Sequence, residues 1–221
     1  MVYAYDLGSY GVKPVEVRVL SSAQKSNISK MKKRAFLIHG WDGNPQEGWR
    51  PWLKNELVKR DFEVSVPAMP DSASPTMEKW VPYLANIVNK PDSSCYFVGH
   101  SLGCITILRY LETLSQGEEV GGAVLVAGFG HDLEYDCYKE ELSSFFKTPV
   151  DWEKIKSHCK KFVAIHSDND PWVPVKHNRL FVEKLQAKSV IEHNMGHFSG
   201  SDNINELPIA LESTLELCND N

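Results

Sequence analysis

Residues 95–111 read "CYFVGHSLGCITILRYL", and this stretch decides the fold. An apolar, strand-like run ends at a serine set between two glycines. A helical pattern follows, with Leu102, Ile105, Leu108, Leu111 and Leu114 recurring at intervals of three. Strand, G-x-S-x-G and helix in that order describe a sharp turn that lifts a serine oxygen above a sheet. Gly99 and Gly103 permit the tight turn and a close approach of helix to strand, and Ser101 stands at its tip. The string alone is weak, because chance supplies it in roughly one chain of this size in ten or twenty at about 7% each of Gly and Ser.

The flanking sequence supplies a context. Short β-branched and aromatic runs at 34–40, 62–69, 94–100, 122–129, 161–167 and 188–193 alternate with helical patterns. Several are continuously apolar, as expected of strands covered on both faces. Strands alternating with helices predict βαβ crossovers, hence an α/β fold: a three-layer α/β/α sandwich around a mostly parallel sheet. Residues 48–60 place Trp49, Trp52, Leu53 and Leu57 on one helical face. In residues 74–90, Ser74 is the expected N-cap and Pro75 the first helical residue, with a stripe of Trp80, Leu84, Ile87 and Val88. Pro82 conflicts with that start, since an interior proline removes a donor, so a start at Val81 is the alternative. Further helical patterns occupy residues 151–159, 177–186 and 206–218. Residues 34–221 are expected to form a single domain with no large lid; 130–160 is long enough only for a small cap. Residues 1–33 read as an N-terminal extension in which alternating Val15–Leu20 suggests an added edge strand.

Composition narrows the function. The 221 residues are 42% hydrophobic and 24% charged, with a formal charge of −5, which gives no basic footprint for nucleic acid. The cluster Lys30–Arg34 reads as the solvated start of a strand. Five cysteines without a C-x-x-C pair argue against a disulfide framework and against a tetrahedral zinc site. With no apolar leader and no run of 18 apolar residues, the expectation is a cytoplasmic protein that does not span a membrane. No metal or organic cofactor is implied, and monomer, homodimer and a protein partner all remain open.

The chemistry follows from what a serine lacks. Its hydroxyl is a poor nucleophile near neutral pH and needs a base, which in turn needs an orienting acid. On this fold the acid and then the histidine should follow the serine along the chain, in loops at the carboxyl ends of strands. "SDNDPWVP" (167–174) and "HNMGHFSG" (193–200) are such loops. Asp170, opening D-P-x-V-P, is favoured as the acid; Asp168 is the alternative and reads as a turn cap. His197 sits in the open loop and is favoured as the base, whereas His193 still belongs to the strand end. His39 and His100 are expected to brace loops, and His166 and His177 to be structural. The backbone N–H groups of Trp41 and Leu102 are the expected oxyanion donors. Trp41, Trp49, Phe129, Phe145, Trp172 and Phe198 are the candidate walls of an apolar substrate pocket.

The stretches "IHGWDGNPQEGWRPWLKNEL", "VPAMPDSASPTMEKWVPYL", "VGHSLGCITILRYLE", "WEKIKSHC", "SDNDPWVP" and "GHFS" resemble the α/β-hydrolase superfamily. More narrowly, they resemble its small lid-less serine hydrolases related to retinoblastoma-binding protein nine and the bacterial YdeN-type proteins. The resemblance runs from about residue 34 to 217 and leaves the first 33 uncovered. It implies a catalytic triad on Ser101, Asp170 and His197 and a carboxylesterase-like hydrolysis of an ester or small amide. The rival is a weak or inactive protein-interaction module that keeps the hydrolase fold, because a fold carries no function by itself.

Overall fold

The structure, a computed structural model, describes residues 32–133 and 139–219. The expected strand at 15–20 lies outside the described residues. Six parallel strands form one sheet: β1 (Arg34–Ile38), β2 (Glu63–Ser65), β3 (Cys95–His100), β4 (Gly122–Val126), β5 (Phe162–Ser167) and β6 (Lys188–Glu192), in the order β2-β1-β3-β4-β5-β6. Every pairing is parallel. The helices are α1 (Arg50–Val58), α2 (Met77–Val88), α3 (Leu102–Leu111), α4 (Lys139–Phe146), α5 (Trp152–His158), α6 (Lys176–Leu185) and α7 (Pro208–Asn219).

The pleat sorts the core into two layers. Phe36 and Ile38 of β1 point to one face, against Trp80 and Leu84 of α2 and Ile105 and Leu108 of α3. Ala35 and Leu37 point to the other, against Leu53 and Leu57 of α1 and Leu211 of α7. This is the expected three-layer sandwich. From β1 the chain goes out to β2 on one side, then returns to place β3 on the other. The carboxyl ends of β1 and β3 therefore flank a topological switch point, where open α/β sheets form their crevice.

Three expectations change. The second strand is three residues long rather than eight. It is an edge strand, and Pro67, two residues beyond its end, has no N–H to extend the ladder. The strand β4 stops at Val126 because Ala127 turns to φ +48°. The helix α2 starts at neither Ser74 nor Val81 but at Met77, with Pro82 inside it. Ser74 belongs to a turn, its N–H donating to the Asp71 carbonyl at 2.8 Å. The first helical N–H, that of Met77, is instead satisfied by the Ser144 hydroxyl of α4 at 3.0 Å. Pro82 is tolerated because it lies on the exposed face, where the Glu78 carbonyl that loses its helical donor meets water.

Among the described residues no helix is long and apolar enough to cross a membrane.

Candidate active site

The turn after β3 is built as its sequence suggests. Ser101 adopts φ +53°, ψ −120°, outside the regions a non-glycine residue normally occupies. The conformation is pinned from both sides: Ser101 N–H donates to the Val126 carbonyl at 2.9 Å, and its own carbonyl accepts from Cys104 at 2.9 Å. A Cβ on Gly103 would sit 2.4 Å from the Ile38 carbonyl oxygen, and one on Gly99 would sit 2.9 Å from the Cys104 nitrogen. Both glycines are therefore required for α3 to lie against β1 and β3. Leu102 is the first residue of α3, so its N–H belongs to the first turn, which has no helical acceptors.

The loop after β5 delivers Asp170, whose side chain is fully buried. One oxygen accepts the N–H groups of Trp172 and Val173 at 2.8 and 3.0 Å. The other lies 2.8 Å from Nδ1 of His197, which is 15% exposed. A carboxylate can only accept here, so Nδ1 carries the proton and Nε2 is left as the basic nitrogen. Asp168 is placed differently: it holds the exposed His193 ring at 2.6 Å and the Asn194 N–H at 3.0 Å, tying the β5 loop to the end of β6.

The His197 backbone is braced by groups that sequence reasoning left unassigned. Asp202 accepts the N–H groups of His197 and Ser199, both at 3.0 Å, together with the Ser199 hydroxyl. Burial would raise its pKa, but the Ser199 and His197 donors hold it below the ordinary aspartate value. Ser199 and Asp202, three residues apart, form a capping box around the 3-10 turn Gly200–Asp202, a spacing too common to mark the residue from sequence. Ser167 and Asn169 add bonds to the N–H groups of Met195 and Gly196 at 3.0 and 2.9 Å.

Three buried histidines, His39, His100 and His166, are neutral struts. His39 Nε2 accepts from the Met69 N–H at 3.0 Å, so its Nδ1–H donates to the Gly40 carbonyl at 2.7 Å. His100 Nε2–H donates to the His197 carbonyl at 2.7 Å, and burial followed by the neighbouring His197 keeps its pKa well below the usual value. His166 accepts from Asn178 at 3.3 Å and donates to the Gly128 carbonyl at 2.8 Å.

A cleft of about 500 Å³ joins these parts. Ser101, His197, Leu102 and Trp41 line it, with Phe129, Leu133, Leu142, Trp172 and Val173 as its apolar walls. Of the six aromatics proposed for the pocket, Trp41, Phe129 and Trp172 are on the cleft. Trp49, Phe145 and Phe198 belong to the core instead, each fully buried. Their sequence spacing is the same whether they face a cleft or a core; Trp49 at the start of α1 and Phe198 in the loop after β6 join one core layer, and Phe145 of α4 joins the other. Trp49 still serves the site indirectly, its indole N–H donating to the Phe198 carbonyl at 3.0 Å beside His197.

Residues 35–214 match the family model described as "Serine hydrolase". The chain is 30% identical to YdeN of Bacillus subtilis (strain 168) over 182 residues, 82% of this chain and 94% of that one. It is also 30% identical to "Serine hydrolase RBBP9" of Rattus norvegicus over 172 residues, covering 76% and 89%. The crystal structure of B. subtilis YdeN superposes with a TM-score of 0.79 at 29% identity, covering 84% of this chain and 98% of that one. Est1E from Butyrivibrio proteoclasticus, at 14% identity and a TM-score of 0.66, shares the fold. The elbow at Ser101, the parallel sheet that carries it and the match along most of the sequence agree: this chain belongs to the serine hydrolase family, with an α/β-hydrolase fold.

Proposed function

We propose that the protein is an esterase that works through an acyl-enzyme on Ser101. The observation that carries this reading is the bond of 2.8 Å from His197 Nδ1 to the fully buried Asp170, in a histidine that shares its cleft with the strained Ser101. His197 Nε2 takes the Ser101 proton as Oγ attacks the ester carbonyl. The electron pair of the C=O bond moves onto oxygen, where the N–H groups of Leu102 and Trp41 stabilise it. Collapse of that intermediate expels the alkoxide, which takes the proton from His197 and leaves an acyl-serine. Water, deprotonated by the same nitrogen, then attacks the acyl carbonyl and releases the acid with Ser101 restored. Asp170 keeps the imidazole in the required tautomer and stabilises the imidazolium. Every step uses groups of the chain, substrate or water. Trp41, Phe129 and Trp172 give the acyl or alcohol portion an apolar seat, and a small amide would follow the same course with a poorer leaving group.

A series of p-nitrophenyl esters of increasing acyl length tests the reading. Turnover is expected for the shorter members, and Ser101→Ala should lower kcat by about 10⁴–10⁶-fold. Turnover that survives this substitution would overturn the assignment.

A further inference from the structure

The cleft wall holds a group that hydrolysis itself does not use. Arg50 is the first residue of α1 and only 4% exposed, yet it lines the cleft together with Ser101 and His197. Its Nε and Nη2 donate to the Asn44 carbonyl at 3.1 and 3.0 Å. Nη2 also lies 3.7 Å from the carboxylate of Glu47, a side chain that is 54% exposed. Nη1 carries two more N–H groups and hydrogen-bonds to no atom among the described residues. Nor is it sealed inside protein, since the fully buried side-chain polar atom without a partner among those residues is His177 Nδ1. Nη1 is thus the guanidinium nitrogen with no protein partner and some contact with the outside, on a residue that lines the cleft.

A charge in this position is under-compensated. Buried ions are normally held by close, well-hydrogen-bonded counter-ions. A carboxylate at 3.7 Å, half in water, is a weak one. Burial is the main reason that His39 and His100 stay neutral, and the Arg50 charge adds to it at both rings, so its field reaches the floor of the site. Asp42 and Glu47 also line the cleft, but both are exposed, where water and salt screen them. The Arg50 charge acts in a less polarisable environment, where it counts for more.

Resting on the esterase reading above, we propose that the cleft selects esters bearing a carboxylate, which Arg50 binds through the open Nη1 edge. Charge-assisted bonds from guanidinium to carboxylate are short and about twice as strong as neutral ones. The substrate carboxylate supplies the close counter-ion that Glu47 provides only at a distance.

Two matched pairs of esters test this. Mono-p-nitrophenyl adipate against p-nitrophenyl hexanoate puts the carboxylate on the acyl side. The 4-acetoxybenzoate anion against its methyl ester puts it on the leaving group. For each pair the anionic-to-neutral ratio of kcat/KM is measured in the native protein, Arg50→Gln and Glu47→Gln. In at least one pair the ratio should fall about tenfold or more in Arg50→Gln and rise in Glu47→Gln, where the competing carboxylate is gone. If Arg50 only braces the Asn44 loop, both members of a pair fall together and the ratio stays put. Ratios within twofold of native in both variants would overturn the proposal while leaving the esterase reading intact. Glu47 is a half-exposed side chain, so if Arg50→Gln does not fold, ratios within twofold of native in Glu47→Gln alone still overturn the proposal. Absence of Ser101-dependent turnover of all four esters would remove the esterase reading, and this inference with it.

Discussion

At the scale of single residues, the proposed mechanism depends on which nitrogen of His197 is basic, and the bond to Asp170 leaves Nε2 for that role. Its buried carboxylate accepts three N–H groups, one of them from His197. Asp170→Asn presents a donor where an acceptor is needed and favours the wrong tautomer. The expected loss is about 10⁴-fold in kcat, read with a chromogenic ester, against a fold that still binds substrate. Asp202 acts at one remove, through the backbone of His197, so Asp202→Ala should lower kcat about tenfold through looser placement of the ring. A kcat within twofold of native would show that the remaining bonds of this loop suffice. The sequence favoured Asp170 over Asp168 because Pro171 and Pro174 stiffen the loop that follows it; the two N–H groups that Asp170 accepts, from Trp172 and Val173, came only with the structure. The sequence could not announce Asp202, whose capping-box spacing is common, or Arg50, which looks like any polar residue on an amphipathic helix. What distinguishes both is where their atoms meet parts of the chain remote in sequence.

Among the elements, strand positions were legible and several ends were not. Apolar runs fix where strands lie. Their ends depend on single backbone events, such as the missing N–H of Pro67 and the positive φ of Ala127. The start of α2 rests on the hydroxyl of Ser144, 67 residues away in sequence, which no local capping rule contains. The helix α4 went unread because "KEELSSFF" offers a single turn of apolar spacing in an otherwise polar segment. The crossing of α3 over β1 is legible and makes a prediction. Gly103→Ala drives a methyl group to 2.4 Å from the Ile38 carbonyl, where backbone must move. Overpacking of this kind costs about 1–3 kcal/mol, and the elbow moves with the helix. Both Tm and ester turnover should therefore fall; a variant with native values of each would show that α3 has room to shift.

For the molecule as a whole, the parallel sheet brings three loops to one rim and buries the histidines that support them. Burial lowers the pKa of His39, His100 and His166, and that of His177 falls to about 3 through burial first, with the neighbouring His131, His166 and Lys176 side chains disfavouring a further positive charge. A histidine held neutral in the fold but free to protonate once unfolded contributes its full stability above about pH 6.5. As pH falls below that value, the unfolded chain gains protons that the fold resists, and stability declines by up to about 1.4 kcal/mol per pH unit for each such group. The His193–Asp168 pair works in the opposite sense, its pKa being raised by Asp168, but it is solvated and counts for little. Tm should fall steadily from pH 6.5 to 5, before most carboxylates titrate, and less steeply in His177→Leu. A flat profile across that range would contradict the account of these rings as neutral struts.

The central claim is that Ser101 is activated by His197. Reaction of the purified protein with a fluorophosphonate, followed by mass spectrometry of the modified peptide, tests it most directly. The account predicts rapid labelling at Ser101 that is lost in Ser101→Ala and slowed by orders of magnitude in His197→Ala. A folded protein that takes no label, or takes it equally fast without His197, would contradict it.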